Sequence, residues 1–263
     1  MKDITVRRPI IWKSVHETNI GMVRKINEDS ILSTPQSQFW AVADGMGGYE
    51  AGNVASNMIV ASLEGCSQQG SLNQLVNNIE NCLIDVNRRI LEYADIMLDG
   101  RTLGSTIVSL AIKGRVGVCL WVGDSRLYRL RNRQLLQLSR DHSQIEEQVQ
   151  QGYITPEQAE NHPDSNVITR AVGAHKKVYV DINVFSAQLG DVFLLCSDGL
   201  YNMVSKGELA STLARLPIDQ ARDSLMQLAL DRGAGDNVSI ILVKGEQGSY
   251  TQRPEVPVSP AHE

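Results

Sequence analysis

Long apolar runs and aromatic residues are both scarce in this sequence of 263 residues. No uninterrupted apolar stretch approaches the roughly 18 residues that a membrane-spanning helix needs. The first residues, MKDITVRRPIIWKSV, contain no apolar segment followed by a small-residue cleavage site, so no export signal is predicted. Aromatic residues make up only 5%, but the 42% apolar share is ordinary for a globular protein and too high for a disordered chain. We therefore expect a folded cytoplasmic protein with no membrane partner.

An excess of positive charge and closely paired cysteines are lacking as well. The 25 lysines and arginines are outnumbered by 30 aspartates and glutamates, which gives a net charge of −5. Proteins that bind nucleic acid usually carry a basic face, so we expect no nucleic-acid partner. Cys66, Cys82, Cys119 and Cys196 are widely spaced and form no C-x-x-C pair. This spacing argues against a zinc site and favours reduced thiols packed as small apolar side chains.

The composition of the chain is even from residue 11 to about residue 245, with no Pro/Gly/Ser-rich linker long enough to divide domains. The last stretch, residues 246–263, is polar, contains three prolines and has no apolar period. We therefore predict a single domain over residues 1–245 and a flexible C-terminal tail over residues 246–263.

Short apolar segments predict many strands, and longer periodic segments predict four helices. The predicted strands cover residues 39–44, 105–112, 116–124, 126–131, 134–138, 178–185, 191–198 and 237–243. The predicted helices cover residues 51–64, 71–98, 206–214 and 217–231. Asn132-Arg133 is a plausible tight hairpin connection between two of the strands. Because strict βαβ alternation is absent, the order favours an α+β fold in which helices cover mostly antiparallel sheets.

Four aspartates stand at the ends of predicted strands. Asp44, Asp124 and Asp198 each end an apolar run, and Asp236 opens one. A single aspartate in this setting is usually a turn residue, but four of them suggest that the strand ends bring carboxylates together. Like charges that converge need a cation or protons to stabilise them.

The early segment GMVRKINEDSIL adds two adjacent carboxylates, Glu28 and Asp29, and places Arg24 four residues before them. Aspartate and glutamate clusters without His or Cys select hard cations, chiefly Mg²⁺ or Mn²⁺. Paired metal ions activate water and stabilise the developing charge of a phosphate, and an arginine matches phosphate oxygens in a bidentate manner. The residues therefore predict a two-metal phosphoester hydrolase.

Eight short motifs in order resemble those of the bacterial-type protein phosphatase 2C family, the metal-dependent protein serine/threonine phosphatases. The motifs are R-x-x-N-E-D-S (24–30), A-D-G-M-G-G (43–48), L-G-S-T (103–106), V-G-D-S-R (122–126), R-D-H-S (140–143), T-R-A-V-G (169–173), C-S-D-G-L (196–200) and G-D-N-V-S (235–239). The resemblance spans about residues 14–243. It implies a central antiparallel β-sandwich flanked by helix pairs, in four layers.

The resemblance also implies which residues bind metal. These are Asp44, the Gly45 carbonyl, Asp198, Asp236, Glu28 and Asp124. Asp44 would bridge two Mn²⁺ or Mg²⁺ ions, Asp198 and Asp236 would complete the first, and Glu28 would reach the second directly or through water. Asp124, together with Asp198, would support a third and weaker ion.

Two further roles follow from the resemblance. Asp29 would orient metal-bound water and Arg24 would hold the substrate phosphate, so that metal-activated water attacks phosphorus without a phosphoenzyme. Some relatives carry a histidine as candidate general acid where this chain has Met46, which has no proton to donate. The other mid-chain candidates are His142, His162 and His175, for each of which we expect an ordinary surface or hydrogen-bonding role. The general acid is therefore unassigned.

Two other segments invite a functional interpretation. Residues 144–173 resemble the family's flap, a mobile segment beside the active site that tunes substrate choice, and here they predict two short helices. The alternative is a surface loop with no role in substrate choice. Four arginines fall within eight residues: Arg126, Arg129, Arg131 and Arg133. This spacing is typical of a solvated strand face. The alternative is that they form a docking surface for an acidic phosphoprotein.

The predicted function is hydrolysis of phosphoserine and phosphothreonine in proteins by a monomer. The partners implied by the resemblance are phosphorylated proteins, a serine/threonine kinase of the same cell and its substrates. Two alternatives stay open: a phosphatase for small phosphoesters, and a regulator that binds phosphoproteins without turnover.

Overall fold

Two antiparallel sheets form the centre of the computed structural model, which describes residues 9–47, 51–66, 70–159 and 167–248. The strands are β1 Ile10–Asn19, β2 Asp29–Thr34, β3 Phe39–Gly47, β4 Leu103–Ser105, β5 Ile107–Lys113, β6 Val116–Val122, β7 Arg126–Arg131, β8 Gln134–Gln137, β9 Asp181–Ser186, β10 Val192–Cys196 and β11 Val238–Gln247. The helices are α1 Gly52–Glu64, α2 Leu72–Met97, α3 Gln144–Gln150, α4 Pro156–Ala159, α5 Asp198–Tyr201, α6 Lys206–Arg215 and α7 Ile218–Asp231.

The first sheet has the strand order β1-β11-β10-β7-β8, and the second has the order β2-β3-β5-β6-β9, with β4 paired to β3. The sheets stack on each other through Trp40, Phe193 and Ile241. Helices α1 and α2 cover the outer face of the second sheet, and α5, α6 and α7 cover that of the first. The predicted α+β class and four-layer arrangement are therefore confirmed.

The central strands are buried on both faces, which explains why their sequences are continuous apolar runs rather than alternating ones. All five residues of β10, VFLLC, are buried, as are the first five of β3, FWAVA. The same burial fixes where these strands end, because each apolar run stops at the aspartate-containing segment that follows it. The fold thus places polar side chains at one end of the sandwich.

The helix predictions are confirmed to within a residue or two at each end. Helix α2 begins with a capping box, in which Ser71 Oγ accepts a hydrogen bond from the Gln74 backbone N–H and Gln74 Oε1 accepts one from the Ser71 N–H at 2.7 Å. Its apolar stripe, which includes Leu75, Ile79 and Leu83, packs against the second sheet. Among the described helices, none has the length and apolar character needed to cross a bilayer.

Several strand boundaries differ from the sequence predictions. Strand β1 was not predicted, because Lys13, Ser14, His16 and Glu17 interrupt its apolar residues; pairing with β11 along its whole length holds it in the sheet. The predicted strand 116–124 ends at Val122, since the next residue is a glycine with φ +109°.

Three other predicted strands are shorter than expected. The strand predicted over 105–112 is split at Thr106 into β4 and β5, the strand over 178–185 begins only at Asp181, and the strand over 191–198 ends at Cys196. The hairpin prediction is confirmed, with positive φ at Asn132 (50°) and Arg133 (64°).

Strand β11 continues to Gln247, so the first two residues assigned to the tail belong to the sheet, and residues 249–263 lie outside the described residues. The two short helices predicted within residues 144–173 are confirmed as α3 and α4, and residues 160–166 lie outside the described residues. The flap assignment stays a prediction. The single-domain and tail assignments otherwise remain predictions.

Arg131 ties the two sheets together at their edge. Its guanidinium holds Asp191 in a bidentate pair, with Nε–Oδ1 and Nη2–Oδ2 distances of 2.7 Å, and donates to the Ser186 carbonyl at 2.8 Å. The Asp191 side chain is only 1% exposed. Arg126 is likewise paired, with Asp141, so two of the four clustered arginines are engaged inside the molecule rather than forming an open face.

We predict that Arg131→Gln lowers the free energy of unfolding by about 2–3 kcal/mol, because buried Asp191 loses its cation. Urea unfolding measures the change. Arg133→Gln, in the exposed hairpin turn of the same cluster, is the matched control and is expected to change stability by less than about 0.5 kcal/mol. Equal losses in the two variants would contradict a special role for the Arg131–Asp191 pair.

Candidate active site

The predicted acidic residues meet at one end of the sandwich. Asp29 and Asp44 face each other across the β2–β3 pair, and Asp198 is the first residue of α5, two residues after the end of β10. Asp44 lies within electrostatic range of Asp29, Asp198, Asp124 and Asp236, and Glu28 lies within range of Asp29. Strand ends contributed by both sheets thus bring the six carboxylates into one cluster.

Asp44 is the centre of this acidic cluster. Its backbone is fixed by Thr106, whose Oγ1 accepts from the Asp44 N–H at 3.2 Å and whose N–H donates to the Asp44 carbonyl at 2.8 Å. Burial, followed by repulsion from Asp29, Asp198 and Asp124, raises the pKa of Asp44 well above its ordinary value. The side chain is therefore held where its charge is costly unless a cation is near.

Two neighbouring aspartates have carboxylate oxygens without partners. Burial is the main cause that raises the pKa of Asp29 to about 6 and that of Asp198 to about 7. Ser197 Oγ donates to Asp29 Oδ2 at 2.7 Å, and Asn202 Nδ2 donates to Asp198 Oδ2 at 3.3 Å. Within the described residues, Oδ1 of each aspartate is buried and makes no hydrogen bond. These two oxygens are available to a ligand.

Glycines let Glu28 and the Gly45 carbonyl lie side by side. Glu28 Oε1 accepts from the Gly52 N–H at 2.6 Å, at the first residue of α1. A Cβ on Gly52 would lie 2.6 Å from Glu28 Oε1 and 2.7 Å from the Gly45 oxygen, while a Cβ on Gly45 would lie 2.2 Å from the Gly52 oxygen. Both positions therefore require glycine, and together they place two oxygen donors at one point.

Arg24 is bound to a carboxylate of the cluster. Its Nη2 lies 2.7 Å from Asp236 Oδ2, and both side chains are partly exposed, at 50% and 38%. The hydrogen bond to Asp236 is the main cause that raises the pKa of Arg24. Asn237 fixes the segment around Arg24, since its Nδ2 donates to carbonyls of residues 20 and 26 and its Oδ1 accepts from the Glu28 N–H.

Asp124 is buried and held by an aromatic side chain. The Tyr201 hydroxyl donates to Asp124 Oδ2 at 3.1 Å, and the Arg126 guanidinium lies 3.6 Å from the centroid of the Tyr201 ring. Arg126 in turn pairs with Asp141 at 2.6 Å. Burial, and then repulsion from Asp141, raises the pKa of Asp124 to about 6.

The general acid stays unassigned. Met46 is half-buried and pairs with Gly104 across β3 and β4. His142 is buried with its Nδ1 bonded to the Gly123 N–H, and His175 is exposed. His162 lies outside the described residues.

Several residues that support the site were not singled out from the sequence. They are Gly52, Thr106, Ser197, Tyr201 and Asn237. Thr106, Ser197 and Asn237 lie inside the L-G-S-T, C-S-D-G-L and G-D-N-V-S motifs, and Tyr201 directly follows one, so the motifs marked their positions without showing their contacts.

The cluster fits hard divalent ions. Its metal-binding atoms are oxygens, and two buried carboxylate oxygens have no partner in the part of the chain that the structure describes. Burial and mutual repulsion raise the pKa values of Asp44 and Asp198, so leaving these charges uncompensated is costly. Among the described residues, no three His, Cys, Asp or Glu side chains close around one point. An ion here would therefore take part of its coordination from backbone carbonyl and water, as Mg²⁺ commonly does.

Comparison with known proteins agrees with this chemistry. A sequence model of the family described as Protein phosphatase 2C matches residues 23–232. Serine/threonine phosphatase stp of Listeria welshimeri is 37% identical over 235 residues, which cover 86% of this chain and 93% of that protein. Serine/threonine protein phosphatase PstP of Mycobacterium tuberculosis is 32% identical over 247 residues, which cover 94% of this chain and 47% of PstP.

Solved structures have the same fold. PppA, described as a key regulatory component of T6SS in Pseudomonas aeruginosa, has a TM-score of 0.83 and 39% identity, covering 91% of this chain and 100% of that one. The catalytic domain of the serine/threonine protein phosphatase PstP in complex with two manganese ions has a TM-score of 0.82 and 30% identity, covering 90% of this chain and 100% of that one.

We predict that the metal-free protein becomes less stable as the pH rises from about 4 to about 7. The pKa of Asp198 is raised from 3.8 to about 7 in the fold, so across this range the folded chain keeps protons that the unfolded chain has lost. Asp198→Asn should flatten this fall and raise the metal-free free energy of unfolding at pH 8 by about 1 kcal/mol or more.

Denaturant unfolding in chelator at pH 5 and pH 8, repeated with Mn²⁺, measures both effects. The variant should also gain less stability from Mn²⁺ than the wild type, because it has lost one carboxylate. Asp95→Asn, on the exposed side of α2, is the matched control and should behave as the wild type. A less stable Asp198→Asn protein in chelator at pH 8 would contradict the repulsion argument.

Proposed function

The chain belongs to the protein phosphatase 2C family and is a metal-dependent protein serine/threonine phosphatase, and we propose that its acidic cluster and Arg24 carry the reaction. The observation that carries this proposal is the convergence on Asp44 of carboxylates from both sheets, with Arg24 bonded to one of them. The proposal assigns roles to residues of this chain one by one.

Asp44, the Gly45 carbonyl, Asp198, Asp236 and Glu28 would hold two Mn²⁺ or Mg²⁺ ions, and Asp124 with Asp198 would hold a third. Bound ions of this kind supply an activated water and neutralise charge on the phosphoryl oxygens. Asp198 Oδ1, which has no hydrogen-bond partner among the described residues, and the glycine-lined space beside Glu28 support these assignments.

Asp29 would orient the attacking water. Ser197 occupies its Oδ2, which leaves Oδ1 to accept a hydrogen bond from that water. Because the pKa of Asp29 is about 6, its carboxyl group is mostly ionised at neutral pH and can accept hydrogen bonds.

Arg24 would bind the substrate phosphate. Half of its side chain is exposed, and its guanidinium already lies within hydrogen-bonding distance of the acidic cluster. The planar guanidinium donates two parallel hydrogen bonds to phosphate oxygens more readily than a lysine does. A phosphoserine or phosphothreonine that enters the site would therefore meet Arg24 at its edge.

The substrates are phosphoproteins, and we propose that they include a serine/threonine kinase of the same cell and the proteins that this kinase modifies. We further propose a cytoplasmic monomer. Four free thiols, of which Cys119 and Cys196 are buried, support a reducing compartment. All the proposed catalytic residues come from one chain, so the site needs no partner subunit.

We predict that Arg24→Ala lowers kcat/KM for an aryl phosphate and for a phosphothreonine peptide by about 10- to 100-fold, because the phosphate loses a charge-assisted donor. Arg24→Lys should fall between this variant and the wild type. The control is Lys25→Ala, which removes the exposed cation next along the chain and should leave kcat/KM within about twofold. Equal losses in Arg24→Ala and Lys25→Ala would contradict phosphate binding by Arg24.

We predict that chelation abolishes turnover, that Mn²⁺ restores it, and that Asp44→Asn lowers kcat by more than about 100-fold at saturating Mn²⁺. Hydrolysis of an aryl phosphate and a phosphothreonine peptide measures these effects, with Asp95→Asn as control. Turnover that survives both chelation and the substitution would overturn the two-metal site. Phosphopeptide binding without turnover would favour the regulator, and preference for a metabolite over every phosphopeptide would favour a small-molecule phosphatase.

A further inference from the structure

His142 lies where the loop that carries Asp124 meets the base of residues 144–173. Its backbone N–H donates to the Gly123 carbonyl at 2.9 Å, and its ring Nδ1 accepts from the Gly123 N–H at 3.0 Å. Both polar groups of Gly123 are therefore held by one residue. Glycine at this position has φ +109°, so it is a point where the chain turns sharply after β6.

We propose that His142 is a positioning residue that fixes the Asp124 loop relative to residues 144–173, the predicted flap. The inference rests on the proposed function, because it gives Asp124 a role in metal binding. It adds that the neutral imidazole of His142, rather than packing alone, sets the position of that carboxylate.

On one side, His142 is linked to the centre of the acidic cluster. A Cβ on Gly123 would lie 2.6 Å from the Cβ and Cγ2 of Thr106, so the loop packs directly on that threonine. Thr106 Oγ1 lies 2.7 Å from Ser125 Oγ and accepts from the Asp44 N–H. A displaced Gly123 would therefore disturb Asp124 and the threonine that fixes Asp44.

On the other side, His142 and Ser143 hold the start of the predicted flap beside residues 168 and 169. The His142 carbonyl accepts from the Thr169 N–H at 2.7 Å, and the next residue, Ser143, forms an isolated bridge with Ile168. Ser143 also caps α3, since its Oγ accepts from the Glu146 N–H at 3.2 Å. Residues 142–143 and 168–169 are therefore held against each other.

The hydrogen-bonding pattern requires a neutral imidazole with its proton on Nε2. Nδ1 must be unprotonated because it accepts from Gly123. Nε2 is buried and lies 3.2 Å from Asp181 Oδ2, although within the described residues no partner has hydrogen-bond geometry. Burial lowers the pKa of His142; Asp181 and Asp141 oppose the change, and Arg170 reinforces it.

Ring packing is a separate contribution that the experiment must hold constant. The imidazole stacks on Trp121, with centroids 6.1 Å apart and an interplanar angle of 18°. Replacement by Ala would remove both the stacking and the acceptor. Substitution by Asn or by Gln removes the ring in both cases. The side-chain oxygen of Asn can occupy the position of Nδ1, whereas the longer side chain of Gln places its amide at the position of Nε2.

The test compares His142→Asn with His142→Gln by hydrogen exchange of the metal-free proteins and by Mn²⁺ titration. In the Gln variant we expect amide exchange at residues 123–126 and 167–170 to be about 10-fold faster, as for the loss of one hydrogen bond. Calorimetric Mn²⁺ binding should weaken about 5- to 10-fold, and kcat at limiting Mn²⁺ should fall while KM for the aryl phosphate stays within about twofold. The Asn variant should stay within about threefold of the wild type in each measurement.

The proposal would be overturned if the two variants had equal amide exchange rates and equal Mn²⁺ affinities. It would also be overturned if the variants had lower melting temperatures than the wild type but unchanged amide exchange at residues 123–126. The nitrogen chemical shifts of the His142 ring in the wild type give a second measurement, independent of whether a variant folds. A proton on Nδ1 at pH 7 would also overturn it. Absence of Mn²⁺-dependent turnover in the wild type would instead refute the proposed function, and the exchange comparison would still decide the role of His142.

Discussion

Electrostatic repulsion between buried carboxylates is the constraint on which this structure depends. Asp29, Asp44 and Asp198 are brought close together in surroundings that disfavour their charged forms. The apolar layers between the two sheets and under the helices hold these carboxylates in place, since they fix where each strand ends. The fold thus stores in one place an unfavourable energy that a divalent ion relieves.

The side chains that support the acidic cluster are mostly neutral hydrogen-bonding groups, some of which donate to carboxylates while others accept from their backbone N–H groups. Thr106, Ser197, Tyr201 and Asn237 orient carboxylates or their backbone through hydroxyl and amide groups, which hold position without cancelling charge. Arg24 is the cation bonded to the cluster, and it is partly exposed at the rim. Positions are therefore fixed by hydrogen bonds, while the negative charge remains available for ions.

The fold class and the acidic residues of the site could be predicted from the sequence because both depend on local patterns. Apolar runs that end in aspartate predict buried strands and the positions of their carboxylates, and helix α2 carries a regular stripe. Strand β1 could not be predicted, since its stability comes from β11 more than 200 residues away in the chain rather than from its own composition. The contacts of Tyr201 and His142 likewise depend on which loops meet in space, and no spacing in the sequence encodes that.

The pairing of β1 with β11 has a consequence for how the enzyme can be joined to other molecules. The Asn19–Val238 end of this pair lies near Asp236 and the acidic cluster, whereas the Ile10–Gln247 end is nine residues away along the strands, or about 30 Å. Ile10 and Gln247 therefore lie side by side at the end of the sheet that is away from Asp236. A tether or fusion partner joined at Ile10 or Gln247 would therefore be attached about 30 Å along the strands from the Asp236 end of the pair.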